Sequence, residues 1–135
     1  MSVEGRCLCG AVQFTGTPVP GRGISVCHCG QCRRWGGGPF FALRMQGGVT
    51  LTEAAGLVWF RSSDHGERGF CNRCGSSLFW RKPGAGLDVA VSAGSLTSEH
   101  GQQIAAHIWV DDKPDFYEFA DDAPRLTAAQ AMARG

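Results

Sequence analysis

Cys27-His28-Cys29-Gly30-Gln31-Cys32 packs three thiols into six residues, and the reading of the whole chain turns on it. Outward from it lie two further pairs, Cys7-Leu8-Cys9 and Cys71-Asn72-Arg73-Cys74, and no other cysteine occurs among the 135 residues. Seven thiols cannot all be used by simple disulfide pairing. Four thiolates close a tetrahedral structural zinc site, and three leave a zinc with one open position. The count therefore divides into one sealed site and one site able to take a substrate.

Spacing bears on which sulfurs share an ion. On a strand, residues i and i+2 point to one face, so Cys7 can grip a metal with Cys9, and Cys27 with Cys29, while Leu8 and His28 point away. Cys71-x-x-Cys74-Gly75 resembles a zinc knuckle, with glycine suited to the positive φ of such a turn. A competing pairing joins Cys29-x-x-Cys32 to Cys71-x-x-Cys74 as a four-cysteine ribbon and strands Cys7, Cys9 and Cys27. Spacing alone leaves both pairings open.

The rest of the sequence reads as short strands. Ala11–Thr15 alternates with period two, and Ile24–Cys27 is a second strand. Pro39–Met45 places Phe41, Leu43 and Met45 on one face. Leu57–Arg61, Ser77–Arg81, Leu87–Val91, Ala106–Val110 and Phe116–Phe119 follow, separated by breaks at Gly36–Gly38, Gly47-Gly48, Pro83-Gly84 and Lys113-Pro114. Helix is confined to a turn after Cys29 and to alanine-rich Leu126–Arg134. Twenty glycines favour turns and short strands over long helices. The expected fold is all-β with short helical pieces, as a single domain over residues 1–135.

Composition excludes some functions. No apolar run reaches membrane-spanning length, and Met1–Arg6 has no export-signal character, so a cytoplasmic location is expected, where clustered thiols bind metal more often than each other. Residues 1–82 carry ten Arg/Lys against four Asp/Glu, and residues 83–135 carry three against eight. That asymmetry is too mild for a nucleic-acid footprint, and the basic excess offsets the charge of metal-bound thiolates.

Three ordered motifs carry a family resemblance. Gly5-x-Cys7-x-Cys9-Gly10-x-Val12, Cys27-His28-Cys29-x-x-Cys32-Arg33 and Phe70-Cys71-x-x-Cys74-Gly75-x-x-Leu78, with His107-Ile108-Trp109-Val110 later, resemble the glutathione-dependent formaldehyde-activating enzyme family, which includes centromere protein V. The resemblance spans about residues 5–116. It implies a β-tent of small antiparallel sheets and two Zn²⁺ per chain: a structural zinc on Cys7, Cys9, Cys71 and Cys74, and a catalytic zinc on Cys27, Cys29 and Cys32. It also implies a carbon–sulfur lyase that joins a thiol, glutathione, to formaldehyde or a related aldehyde. A three-thiolate zinc suits such a reaction, because it is a poor Lewis acid for water yet accepts a soft fourth ligand such as a thiol. The rivals are a non-catalytic zinc-stabilised scaffold and a thiol or metal sensor.

Other residues read more plainly. His28 is expected in a supporting or core position, His107 as a hydrogen-bonded structural histidine, and His65 and His100 as exposed. His65-Gly66-Glu67 before Cys71-x-x-Cys74 imitates part of a zinc deaminase signature, but lacks its spacing and proline. Arg33-Arg34 reads as a solvated pair, with carboxylate binding the sharper alternative. Trp35, Trp59, Trp80 and Trp109 are expected to anchor the core. Asp111, Asp112, Asp115, Glu118, Asp121 and Asp122 read as a solvated acidic rim.

Overall fold

A computed structural model describes residues 1–134 of the chain. Nine strands form one hydrogen-bonded network: β1 (Val3–Arg6), β2 (Gln13–Pro18), β3 (Ile24–Cys27), β4 (Phe40–Glu53), β5 (Leu57–Ser63), β6 (Gly66–Cys71), β7 (Ser77–Arg81), β8 (Ala90–Ser92) and β9 (Ile104–Ile108). Helix is limited to α1 (Gly30–Gly36), α2 (Ala128–Arg134) and two single 3-10 turns. The all-β expectation is met. Pairing is antiparallel throughout except between β3 and β9, which run parallel.

β4 organises the network. Its first half pairs with β3 on one side and β8 on the other, and its second half pairs with β2. From β8 the order continues through β7 and β6 to β5. The expected break at Gly47-Gly48 does not end this strand. Both glycines take positive φ, 72° and 85°, and bend β4 where it changes partners. Gly48 is also required for space, since a Cβ there would stand 2.4 Å from Leu87 O. The bend lets one long strand belong to two small sheets.

The core follows the alternation read from the sequence. Leu43 and Met45 are buried and Phe41 packs beside them. Phe14 and Phe79 meet edge-to-face at 5.0 Å, among Val12, Val26, Leu78, Val89 and Val91. All four tryptophans are half-buried, and of them Trp59 packs against this core, stacking on Phe79 at 6.0 Å. Trp35 stacks on exposed Phe60, and Arg81 lies 3.5 Å above the Trp59 ring. An indole N–H wants a partner, and a half-buried place supplies one to Trp35, whose Nε1–H donates to Ser77 Oγ at 2.7 Å.

Some boundaries differ from the sequence reading. β1 and β6 lack readable alternation, because Gly, Arg and Glu occupy three of four positions in β1 and four of six in β6. β9 stops at Ile108, since Trp109 takes a left-handed φ of 56° and starts a 3-10 turn. Phe116–Phe119 forms no strand; Tyr117 and Phe119 pack instead against His28, and Phe119 also against Phe41. Gly37 (φ 83°) is the left-handed cap of α1, its N–H donating to Arg33 O at 2.8 Å, rather than a flexible bend. The expected C-terminal helix is present behind a capping box: Gln130 N–H donates to Thr127 Oγ1 and Thr127 N–H to Gln130 Oε1. No described helix is long and apolar enough to cross a membrane.

Candidate metal centres

Two turns of related hydrogen bonding build the first group of sulfurs. After β1, Cys7 N–H donates to Val12 O at 3.0 Å and Gly10 N–H to Cys7 O at 3.3 Å. After β6, Cys71 N–H donates to Ser76 O at 3.0 Å and Gly75 N–H to Cys71 O at 2.7 Å. Gly10 and Gly75 take φ of 84° and 79°, which a side chain would strain. Each turn points an amide at its first sulfur: Val12 N lies 3.3 Å from Cys7 Sγ, and Arg73 N lies 3.4 Å from Cys71 Sγ. Such donation favours the thiolate. The expected strand geometry for Cys7 and Cys9 is thus replaced by a turn, with the same consequence: their sulfurs converge, Cys7 buried and Cys9 exposed, while Leu8 is 82% exposed.

The two turns are joined through Gly56. Its N–H donates to Ala11 O at 3.2 Å, and Asn72 N–H donates to Gly56 O at 2.7 Å. Leu8 N–H adds a bond to Ser76 Oγ at 3.0 Å. The sulfurs of Cys7, Cys9, Cys71 and Cys74 consequently lie within 4.8 Å of one another. Four sulfurs at tetrahedral angles and about 2.3 Å from a common ion stand roughly 3.8 Å apart. Cys7–Cys9 and Cys9–Cys71 are separated by 3.8 and 3.7 Å, so the donor set has the size of a zinc site. Cys74 is held down to about 5, chiefly by the Ser76 hydroxyl. A Cβ on Gly56 would stand 2.6 Å from Cys71 Sγ and 3.1 Å from Ala11 Cβ. Gly56→Ala is expected to lower stability by about 1–3 kcal/mol through overpacking, read as a reduced denaturation midpoint together with weakened metal retention.

The second group sits where β3 meets α1. Cys27 ends the strand, Cys29 is the N-cap of the helix, and Cys32 lies in its first turn. The Cys29 sulfur accepts from Cys32 N–H at 3.4 Å. A cap residue satisfies an otherwise free helix amide, and here that residue is also a potential ligand. The three sulfurs fall within 4.8 Å of one another, with Cys32 buried and the other two half-buried. Their proximity drives their proton affinities apart. Cys29 is pulled down to about 2, first by the Cys27 thiol and then by Cys32, and Cys27 is pushed up by the same contacts. The structure thus separates the seven cysteines into four and three, and no ribbon joins Cys29 and Cys32 to Cys71 and Cys74. Two surface cavities, of about 230 and 590 Å³, lie elsewhere: the first on His28 and His107, the second beside Cys7 and Leu8. None of the three sulfur residues lines either cavity, so the chemistry is placed by the donors rather than by cavity size.

Beneath the trio lies a residue that sequence reading missed. Arg68, on β6, is 4% exposed, and its Nη1 and Nη2 both lie 3.6 Å from Cys32 Sγ. Its Nε is buried without a hydrogen-bond partner. Nothing local to Arg68 signals this, because strand pairing brings it to Cys32 from 36 positions away.

A buried hydrogen-bond chain flanks the other side of Cys27 and Cys29. Tyr117 Oη lies 2.7 Å from His28 Nδ1, His28 Nε2 lies 2.8 Å from His107 Nδ1, and His107 Nε2 lies 2.9 Å from Asp121 Oδ1. A carboxylate only accepts, so His107 Nε2–H donates to Asp121. With one proton per ring, His107 Nδ1 then accepts from His28 Nε2–H, and His28 Nδ1 accepts from the Tyr117 hydroxyl. Every polar atom of the chain is satisfied in that single direction. The supporting roles expected for His28 and His107 are met, and His65 is exposed as expected, whereas His100 is half-buried. Four of the six rim acids are tied in: Asp121 receives His107, Asp112 receives Gly30 N–H at 2.6 Å, Asp111 receives Ala128 N–H at 2.9 Å, and Glu118 receives Phe119 N–H at 2.9 Å. Arg33 is not a free solvated group, for it donates to His28 O and Asp112 O, both at 3.1 Å; Arg34 is exposed.

Burial, reinforced by neighbouring His107 and by the Lys113 charge, holds His28 down to about 4. Its unfolded value is near 6.5. Between those values the unfolded chain binds the extra proton, so stability falls as pH drops from about 6.5 toward 4 and is full above 6.5. Urea midpoints across this range are expected to slope more steeply for the wild type than for His28→Gln. Acid loss of any cysteine-bound ion is common to both proteins, so equal slopes would remove His28 as the cause.

Comparison with known proteins fits this arrangement. A sequence model of the family described as glutathione-dependent formaldehyde-activating enzyme matches residues 2–112. An uncharacterized lyase of Schizosaccharomyces pombe is 30% identical over 129 residues, covering 96% of this chain and 93% of that protein. A Halomonas elongata protein named "Putative glutathione-dependent formaldehyde-activating enzyme" is 29% identical over 127 residues, covering 87% of this chain and 81% of its own length. The crystal structure of a Rhodobacter sphaeroides protein superposes with a TM-score of 0.59 at 19% identity, over 90% of this chain and 98% of that one, a likeness of fold. By the family match and by the fungal relative, this chain belongs to the glutathione-dependent formaldehyde-activating enzyme family.

Proposed function

We propose that the protein is a zinc-dependent carbon–sulfur lyase acting on the adduct of a thiol and an aldehyde, with glutathione and formaldehyde as the pair its family description names. In this reading Cys7, Cys9, Cys71 and Cys74 hold a structural zinc, and Cys27, Cys29 and Cys32 hold the catalytic one. The observation that carries it is the unequal grouping of seven sulfurs into a set of four and a set of three. A zinc on three thiolates would supply one open position for a soft ligand and hold a substrate thiol as its thiolate.

The chain's own residues set the conditions for that chemistry. The Cys32 N–H bond to Cys29 and the Arg68 contact to Cys32 fix two of the three sulfurs at the start of α1. Tyr117, His28, His107 and Asp121 hold the Cys27–Cys29 segment from behind, so its sulfurs keep their spacing. In the synthetic direction the substrate sulfur lone pair forms the new C–S bond at the aldehyde carbon. The carbonyl π pair moves to oxygen, which takes up the proton lost by the thiol. The lyase direction reverses each change. Glutathione and formaldehyde consumption above the uncatalysed rate, with two zinc ions per chain, is the expected result. Two ions with no excess rate would leave a zinc-stabilised binding module.

A further inference from the structure

The trio carries a charge problem that the chain solves from a distant strand. Metallation converts three neutral thiols and a divalent cation into a site of net charge −1. A substrate thiolate in the open position would take it to −2. Such charge in a half-buried place is unfavourable unless a counter-charge lies close. α1 supplies two arginines, but Arg33 is committed to the carbonyls of His28 and Asp112, and Arg34 is exposed. Arg68 is different: a 4% exposed guanidinium with both terminal nitrogens on one sulfur, Cys32 Sγ, at 3.6 Å. A buried Arg is costly, and this one also leaves Nε without a partner. Its salt-bridge partner is no carboxylate: among the described residues, the ion pairs of the molecule involve Arg44, Arg81, Lys113, Arg125 and His107, not Arg68. The sulfur of Cys32 is what the guanidinium serves.

We propose that Arg68 is a positioning residue of the second metal centre: its forked contact orients the Cys32 thiolate and offsets the excess negative charge of a three-sulfur ion site. This rests on the assignment of Cys27, Cys29 and Cys32 as zinc ligands. Two effects follow. The +1 charge favours the metallated site over its protonated thiols, so Arg68 strengthens ion retention. Hydrogen bonding to sulfur lowers the energy of its lone pairs, so Arg68 also weakens donation from Cys32 to the ion. Partners that orient metal ligands are commonly worth about 10–100-fold in affinity.

The test uses full-length protein loaded with Co²⁺, whose thiolate-to-metal charge-transfer absorption reports sulfur donation directly. Subtracting the spectrum of Cys32→Ser isolates the second centre, and a competing chelator gives its affinity. Arg68→Met is expected to keep the first ion, to bind the second about 10–100-fold more weakly, and to move the charge-transfer band to lower energy. Arg68→Lys, which keeps the charge and loses the fork, is expected between the two. Arg68→Met with unchanged affinity and an unmoved band overturns the proposal, as does an Arg68→Lys protein indistinguishable from wild type in both readouts should Arg68→Met fail to fold. A wild type holding one ion per chain overturns the zinc assignment and the Arg68 role together. Two ions in every Arg68 variant with wild-type spectra overturns the Arg68 role alone.

Discussion

Cys71→Ser is expected to give a chain that does not fold, recovered as insoluble or unfolded protein with no cooperative transition by circular dichroism. Cys71 is fully buried, and its sulfur lies 3.7 Å from that of Cys9, 62 positions earlier in the chain. It also receives Arg73 N–H, and the neighbouring turn is closed by Cys71 N–H to Ser76 O. An ion there would tie the two turns that start and end the β1–β6 stretch. The binding free energy of a structural zinc in small modules is folding free energy, on the order of 10 kcal/mol. That is comparable to the entire stability of an ordinary domain. Serine neither replaces the thiolate nor fills its volume. A soluble, cooperatively folding Cys71→Ser protein would show that Phe14, Leu43 and Phe79 suffice without the first site.

Cys32→Ser is expected to behave in the opposite way: folded, with one metal ion lost and any thiol–aldehyde activity reduced to background. Cys27, Cys29 and Cys32 are contributed by one contiguous segment, so an ion among them closes no long loop. The segment is already held by β3 pairing to β4 and β9, by the α1 cap and by His28 in its hydrogen-bond chain. Its removal withdraws chemistry rather than topology. The paired measurement is ion content and melting behaviour of the two cysteine variants. Equal solubility and equal ion loss in both would refute the division into a structural and a catalytic centre.

The contrast shows what was legible in the sequence. The knuckle-like turn at Cys71–Gly75 was readable because its turn chemistry is local: two thiols, a short spacer and a glycine whose left-handed φ the turn demands. Alternation found β3 and the Phe41–Met45 face, because a period of two is written into consecutive residues. It failed at β6, where Gly66, Gly69 and two charged residues hide a strand that is mostly buried. It placed Phe116–Phe119 in a strand although that segment is held by aromatic contacts and side-chain hydrogen bonds rather than by strand pairing. Asp121 looked like rim, since nothing near it shows that a buried histidine needs an acceptor.

The sequence by itself determined the candidate sulfur donors, their number and the Cys71–Gly75 turn, because ligand spacing and turn residues act over a few bonds; the turn that presents Cys7 and Cys9 was not legible. Only the tertiary structure decided which sulfurs stand together, that Arg68 lies against Cys32, and that Tyr117, His28, His107 and Asp121 form one chain. Those contacts join residues 14 to 89 positions apart through strand pairing and packing, and no short-range pattern encodes a partner at that distance.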